Sequence, residues 1–549
     1  MTAVADVEVR ERSRDLRASL LGFLIVAAAG IAVGLSWQPF GLWPLLLVGL
    51  PAFTLAVRTA PTRRSFALGY VFGCAMLAVT ISWVHVLGLW IAVVLIAFES
   101  LFFGLLGLAL HLVSRLRLWP LAAACCWGMI EFAYSRVPFG GFGWSRLAYA
   151  AVDTPLAGFL PIIGVAGLSF LVALLGQLPA WILVGSGRAR PGVARLAVVA
   201  VAGSAVLLGA GFSLTFVRPQ PTAAAGSVNV GIVQGNVPGR GIEALGRMRT
   251  VTNNHLSETI NLTVRSSLGQ VPKPDFILWP ENSTDIDPTL DPVTRQTVET
   301  ATEVAGRPIL VGAVMAGPGE DERQTSALWW DPQRGISARY DKRNLVPFGE
   351  WIPFRTQLLP LLPILKQVGA QSVPGTNPGV LEVGIADRTI KIGDVICFEL
   401  AYDDTVYSAL TGGAQLLLVQ SNNATYGGTG QIQQQFAITR ARAMEARREI
   451  AVATTNSVSG FIDAQGRVLT RTEEFTASST VVSMPLRSQI TPAIWLAPWI
   501  DRLLAALGLL ACVLASLRGS RRRDPAVRQD GAEPGSERAE TAAQVTVSS

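Results

Sequence analysis

Eight apolar runs of roughly 20 residues, the length a helix needs to cross about 30 Å of hydrocarbon, constrain this chain more than any other feature. They lie near 18–36, 40–57, 66–86, 89–113, 118–135, 156–184, 194–217 and 493–517. Inside lipid no water satisfies a free N–H or C=O, so such runs must be helices that close their own hydrogen bonds. The first run follows arginines but lacks a small-residue cleavage site and leads at once into the second, which argues against a removable signal peptide. Only 15% of the 549 residues are charged and half are hydrophobic, a composition that fits a membrane protein.

Arginine placement gives these helices a direction. Arg10, Arg12, Arg14 and Arg17 precede the first run; Arg58, Arg63 and Arg64 follow the second; Arg115 and Arg117 follow the fourth. Arg188, Arg190 and Arg195 follow the sixth, and Arg518, Arg521, Arg522 and Arg523 close the eighth. The alternate connections carry little beyond Arg136, Arg146 and Arg218. Because basic residues stay on the cytoplasmic side, both termini read as cytoplasmic and the long segment between the seventh and eighth runs as external. Topology thus accounts for the net charge of +6, and no nucleic-acid partner is expected.

That external segment, about 227–487, has a different texture. VNVGIVQGNV, DFILWPE, PILVGAVMA, SALWWD, IKIGDVICFE, AQLLLVQSN and EIAVATTNS are short β-branched runs of the kind that form buried strands. Helical patterns separate several of them. One is bounded by Asp291 as a cap, Pro292 in the first turn and Gly306 at the exit, and another runs from Gln431 to Arg448 without proline. Alternating strand and helix predicts an α/β class, and GFIDAQGRVL reads as a hairpin. The chain therefore divides into a cytoplasmic segment 1–17, a seven-helix membrane domain 18–217, an external α/β domain 227–487, a last membrane helix 493–517 and a disordered cytoplasmic tail 518–549. No partner of the tail is identified by its sequence.

Cys397 stands alone in the external domain, since Cys74, Cys125, Cys126 and Cys512 fall in apolar runs. It is either a buried small hydrophobe or a nucleophile, and an unpaired thiol outside the cytoplasm calls for a reason. A nucleophilic cysteine needs a base. His85 and His111 lie in or beside membrane runs and His255 on a helical pattern, so the base should be a carboxylate, and the chain lacks the ligands for a metal site. Glu281 follows a strand and a proline, a position that emerges at the carboxyl edge of a sheet. Lys342 and Glu350 sit in ARYDKRNLVPFGEWIPF, a proline- and aromatic-rich stretch that reads as a shaped loop. Each charge alone reads as an ordinary loop residue. Together, a glutamate to take the thiol proton, a lysine to favour a thiolate and neutralise an oxyanion, and N–H groups after Cys397 make an acyl-transfer site.

The order Glu281, Lys342, Cys397 within WPEN, YDKRNLVPFGEWIP and CFE, with VQGN upstream, resembles the Glu/Lys/Cys triad of the nitrilase superfamily. With apolar runs on both sides, the likeness extends to the bacterial apolipoprotein N-acyltransferases and spans nearly the whole chain outside its first dozen residues and its tail. The resemblance implies a nitrilase-like αββα sandwich inserted between transmembrane helices, seven before and one after. It implies Glu281 as general base, Lys342 as electrostatic stabiliser and Cys397 as nucleophile, with Glu350 and Glu399 in support and no metal or organic cofactor. It also implies a phospholipid acyl donor and, as acceptor, a lipoprotein with an N-terminal diacylglyceryl-cysteine, both in the outer leaflet of the plasma membrane. SNNATYG departs from the family's usual SND-plus-aromatic pattern at Asn423 and Thr425, and QIQQQF, 431–436, lacks the histidines common there.

A soluble amidase needs no eight-helix anchor, which argues for lipid substrates without reference to the family. Two other readings stay open on sequence: a membrane-tethered amidase that gives its acyl-enzyme to water, and a catalytically silent scaffold. Glu99, His111 and Glu131 fall in membrane runs, where ionisable groups either serve function or reach the interface. The external loop VPFGGFGWSRLAY, 137–149, with Arg136 and Arg146, reads either as a headgroup-binding element or as an aromatic belt.

Overall fold

The computed structural model describes residues 19–186, 193–218, 226–237, 239 and 248–521. The expected segment 1–17, the tail from 522, and Arg188 and Arg190 lie outside the described residues. Helices occupy the apolar runs: α1 (Ser19–Gly34), α2 (Leu46–Thr59), α3 (Thr62–Thr80), α4 (Leu89–Val113), α5 (Trp119–Tyr134), the single turn α6 (Leu147–Ala150), α7 (Leu160–Ser186) and α8 (Val193–Thr215). The run expected to continue to 86 stops as an α-helix at Thr80, and a 3₁₀ turn, Ser82–Leu87, takes over. Among the described residues, four spans are long and apolar enough to cross a membrane: Leu89–Val113, Pro155–Val184, Ala197–Thr215 and Pro492–Arg518. The apolar helices Ser19–Gly34 and Trp43–Thr59 are shorter.

Strands and helices then alternate, as the texture change predicts. β1 (Ser227–Gln234), α9 (Thr250–Ser267), β2 (Phe276–Leu278), α10 (Pro292–Ala305) and β3 (Ile309–Ala316) place three strands in parallel, because a helix carries the chain back between them. β4 (Glu322–Asp331) and β5 (Gly335–Asp341) return as antiparallel neighbours. The short helix α11 (Arg355–Leu361) and β6 (Gln371–Ser372) lead to β7 (Val380–Ile385) and β8 (Arg388–Ile396). α12 (Asp403–Thr411), β9 (Leu416–Ser421), α13 (Gly430–Ala446) and β10 (Ile450–Thr454) follow, then the expected hairpin, β11 (Gly460–Ile462) and β12 (Val468–Arg471). β13 (Ser478–Pro485) closes the first sheet beside β1, and α14 (Pro492–Arg521) ends the described chain.

The two sheets run β13-β1-β2-β3-β4-β5, with β6 on β4, and β12-β11-β10-β9-β8-β7. Their inner faces share a core that includes Val230, Phe276, Trp329, Ile392 and Leu418. Leu262 of α9 and Val298 of α10 pack on the outer face of the first sheet with Trp279 and Val311. Local chemistry fixes α10 as the sequence predicts: the Asp291 side chain accepts the Thr294 N–H at 2.9 Å, Pro292 opens the helix, and Gly306 leaves it at φ +58°. The result is an α/β/β/α sandwich.

The outer face of the second sheet is covered by α12 and α13, and these helices are in turn buried against the apolar helices in one continuous core. A single amide anchors that contact. Gln434 Oε1 accepts the indole N–H of Trp83 at 3.0 Å and of Trp144 at 2.7 Å, while Nε2 donates to Gln38 O at 2.8 Å and Thr80 O at 2.7 Å. Two buried arginines reinforce it. Arg146 meets Asp403 at 2.9 Å, Asp501 at 3.3 Å and Glu131 at 3.5 Å. Arg442 meets Glu445 at 2.6 Å and Asp403 at 2.7 Å, and donates to Leu400 O at 2.8 Å. Where α7 breaks at Gly164, Glu445 accepts the freed N–H of Val165 at 3.0 Å.

Replacing Gln434 by leucine orphans two indole donors and two carbonyls at this seam, at a cost of about 3 kcal/mol. The expected outcome is a clear fall in the thermal unfolding midpoint of the detergent-solubilised protein. Gln296→Leu on the exposed face of α10 should leave that midpoint unchanged.

Candidate active site

Four strand ends build the site. Glu281 follows β2, Lys342 follows β5, Cys397 follows β8, and Asn422 and Asn423 follow β9. Gly312 on β3 lets the Glu281 segment lie close, because a Cβ there would meet Pro280 O at 2.2 Å and Glu281 Cα at 2.7 Å. Glu281 is gripped at both oxygens: Oε1 accepts Lys342 Nζ at 2.9 Å and Oε2 accepts the Asn422 N–H at 2.8 Å. Gln420 ties the sheets together just beneath, donating to Trp279 O at 2.5 Å.

Lys342 is only 2% exposed and its ammonium also meets Glu350 Oε1 at 2.9 Å. Burial opposes its charge, but Glu281 and Glu350 outweigh that and hold its pKa well above the ordinary value. The other Glu350 oxygen accepts the Val346 N–H at 2.8 Å, so the carboxylate folds its own loop around the lysine.

Cys397 occupies the left-handed region at φ +55°, a conformation that non-glycine residues rarely adopt and that concentrates at functional sites. It opens a 3₁₀ turn, Cys397–Ala401, and α12 begins after it, at Asp403. The sulfur lies 3.7 Å from Asn423 Oδ1. Burial, Glu281 and Glu350 push the thiol up, and Lys342 pulls it down by less. Lys342 thus acts in the direction the sequence suggested, while the net effect of the surroundings is a raised thiol.

Glu399 does not join that cluster by contact. Its Oε1 accepts the N–H groups of Arg343 at 2.7 Å and Asn344 at 3.1 Å, its Oε2 that of Ile396 at 2.9 Å, and Tyr340 donates its hydroxyl at 2.9 Å. It thereby pins the lysine loop to the cysteine turn. Burial pushes its pKa up against these bonds.

Several participants carry no signal in a single sequence. Asn422 acts through a backbone N–H, Tyr340 looks like any strand aromatic, and Gln420 is one polar residue in an apolar run. Asp394 is fully buried with no hydrogen-bond partner on either carboxylate oxygen, and burial, then Glu399 and Glu281, raise its pKa well above the ordinary carboxylate value. His255 is buried against Trp279, and burial pushes its pKa down to about 4, so it is a neutral core residue. Arg146 is no headgroup ligand: it is 2% exposed and shared by three carboxylates. Arg136 reaches Asp501 at 2.6 Å. Among the described residues, no group of three His, Cys, Asp or Glu side chains is placed to hold a metal.

Residues 29–178 match the apolipoprotein N-acyltransferase N-terminal domain, and residues 277–489 match the carbon-nitrogen hydrolase family. The apolipoprotein N-acyltransferase of Mycolicibacterium smegmatis is 34% identical over 511 residues, covering 90% of this chain and 84% of the relative. This chain belongs to the apolipoprotein N-acyltransferase family. The family's protein from Vibrio parahaemolyticus is 25% identical, covering 85% of this chain and 91% of its own. Among solved structures, a mutant of the Nesterenkonia AN1 amidase from the nitrilase superfamily is 17% identical with a TM-score of 0.35, covering 49% of this chain and 93% of that one.

Two titrations follow from these surroundings. Glu350→Gln removes one of the charges that raise the thiol, so alkylation of Cys397 by iodoacetamide at pH 8, read by mass spectrometry, should be faster than in wild type. Asp394 has a raised folded-state pKa, so its contribution to stability is present below its unfolded value of about 4 and is lost as pH rises towards the folded value. Asp394→Asn should flatten the decline of the thermal midpoint above about pH 4.

Proposed function

We propose that this enzyme takes a fatty acyl chain from a membrane phospholipid, holds it as a thioester on Cys397, and delivers it to the α-amino group of a lipoprotein's N-terminal diacylglyceryl-cysteine. Family membership makes it an acyltransferase and a membrane protein. The observation that carries the reading is the buried Lys342 ammonium, 2.9 Å from both Glu281 and Glu350 and electrostatically coupled to the Cys397 sulfur.

In the first half-reaction Glu281 takes the Cys397 proton as the sulfur attacks the ester carbonyl. A raised thiol pKa makes that base necessary. Lys342 and the N–H groups of the turn after Cys397 stabilise the oxyanion. The C–O bond then breaks, the protonated Glu281 returns its proton to the departing alkoxide, and a lysophospholipid leaves. In the second half the amine attacks the thioester, Glu281 accepts its proton, and the thiolate departs and is reprotonated. An amide has formed and no redox step is involved. Glu350 keeps Lys342 charged, and Glu399 holds the lysine and cysteine loops in register.

The sandwich faces outward on this reading, with both termini cytoplasmic, seven membrane helices before it and one after. The support is the arginine pattern: basic clusters flank alternate connections, and the connections on the catalytic side carry almost none. Domain limits of 18–217, 227–487 and 493–517 follow from the same pattern.

The test uses full-length protein mixed with phospholipid and a diacylated lipopeptide. Wild type should yield a triacylated lipopeptide and a fatty acyl adduct on Cys397; Cys397→Ala should yield neither. Glu281→Gln should slow adduct formation by on the order of 10²–10⁴-fold. Free fatty acid as the sole product would favour the amidase reading, and full activity in Cys397→Ala would sink both.

A further inference from the structure

An elongated apolar space lies apart from this chemistry, between α2, α7 and α8. Its volume is about 420 Å³, and it shares no residue with the Glu281, Lys342 and Cys397 cluster. Its wall is mostly apolar and includes Leu46, Val172, Leu175, Ile182, Ala205 and Leu208. Thr154 and Ser204 are the hydroxyl residues lining it, and each already donates to its own backbone, Thr154 to Ala151 O at 2.7 Å and Ser204 to Ala200 O at 2.8 Å. No wall hydroxyl proton is left to hold water, and apolar cavities of this kind stay dry.

The helix packing creates this gap. α8 is hardly buried along its apolar span, only 11% of which lies inside the protein. Its outer end is pinned backbone to backbone: a Cβ on Gly158 would meet Gly211 O at 2.0 Å, and one on Gly211 would meet Pro155 O at 2.4 Å. Below that pin α8 stands away from α7. From Val172 to Ile182 the cleft follows α7 for ten residues, or about 15 Å along the axis. A volume of about 420 Å³ spread over that length makes the cleft long and narrow, the shape of an extended hydrocarbon chain.

We infer that this cleft binds one acyl chain of a resident membrane phospholipid, which serves as a packing element between α8 and the α2–α7 pair. Leu47 and Val201 line the cleft and are also exposed, at 43% and 63%, on the apolar surface of the helices, so the space opens directly onto the bilayer. Helices in lipid gain no hydrophobic driving force from meeting each other, so an unfilled gap loses dispersion contacts that a chain restores. The inference rests on membrane placement and not on the acyl-transfer chemistry.

Full-length protein in phospholipid nanodiscs, with a diazirine midway along one acyl chain, provides the test. After irradiation, peptide mapping of wild type should find adducts at Val172, Leu175, Ala205 or Leu208, in addition to the outward-facing Val198 and Val206. Ala205→Phe should lower the cavity adducts several-fold and leave those at Val198 and Val206 unchanged. Adducts confined to the outward-facing residues of wild type would overturn the proposal whether or not the variant folds. So would equal cavity labelling in both proteins. The Cys397 adduct is read from the same samples, so failure of the acyl-transfer reading shows up separately.

Discussion

An ammonium group taken out of water must be paired, and Lys342 draws its two partners from different loops. Glu281 comes from the end of a strand in the first sheet, and Glu350 from the loop beyond the lysine. Cys397 arrives from the other sheet. Satisfying this one charge therefore ties two strand ends of the first sheet together, and the other oxygen of Glu281 carries the tie to the second sheet through the Asn422 N–H. It also sets the electrical state of the sulfur, because two carboxylates against one ammonium leave a local excess of negative charge. A raised thiol is the consequence, which is why the proposed reaction calls on a base beside it.

Much of this was legible in the sequence. The period and length of the apolar runs located the helices, and β-branched runs with their bounding glycines and prolines located most strands. α10 was readable down to its cap, because Asp291, Pro292 and Gly306 act through local backbone chemistry. Strands β5, β7 and β13 gave weaker signals. β7 alternates buried with exposed residues, and β13 is mixed, since both lie at sheet edges. Within the site, charged side chains in unusual motifs were conspicuous. The groups that orient them were not, because a backbone N–H such as that of Asn422 leaves no trace in residue type.

The loop around 137–149 shows the same limit from the other side. Sequence marked Arg146 as unusual and offered lipid headgroups as its partners. Burial decides otherwise: three carboxylates from α5, α12 and α14 surround it, and their charges answer one another inside the protein. Burial opposes ionisation of Asp403, yet Arg146 and Arg442 together hold it below the usual carboxylate range. Arg442 carries that order to the cysteine turn through Leu400.

Helix α13 belongs to two structures at once. One side covers a sheet of the sandwich and the other is sealed by the apolar helices, so almost none of it meets solvent. Cutting the chain at the edges of the sandwich would strip that second covering and present a greasy, glutamine-studded flank to water. The catalytic half is thus no detachable module carried on an anchor; its native solvent is partly the membrane bundle itself.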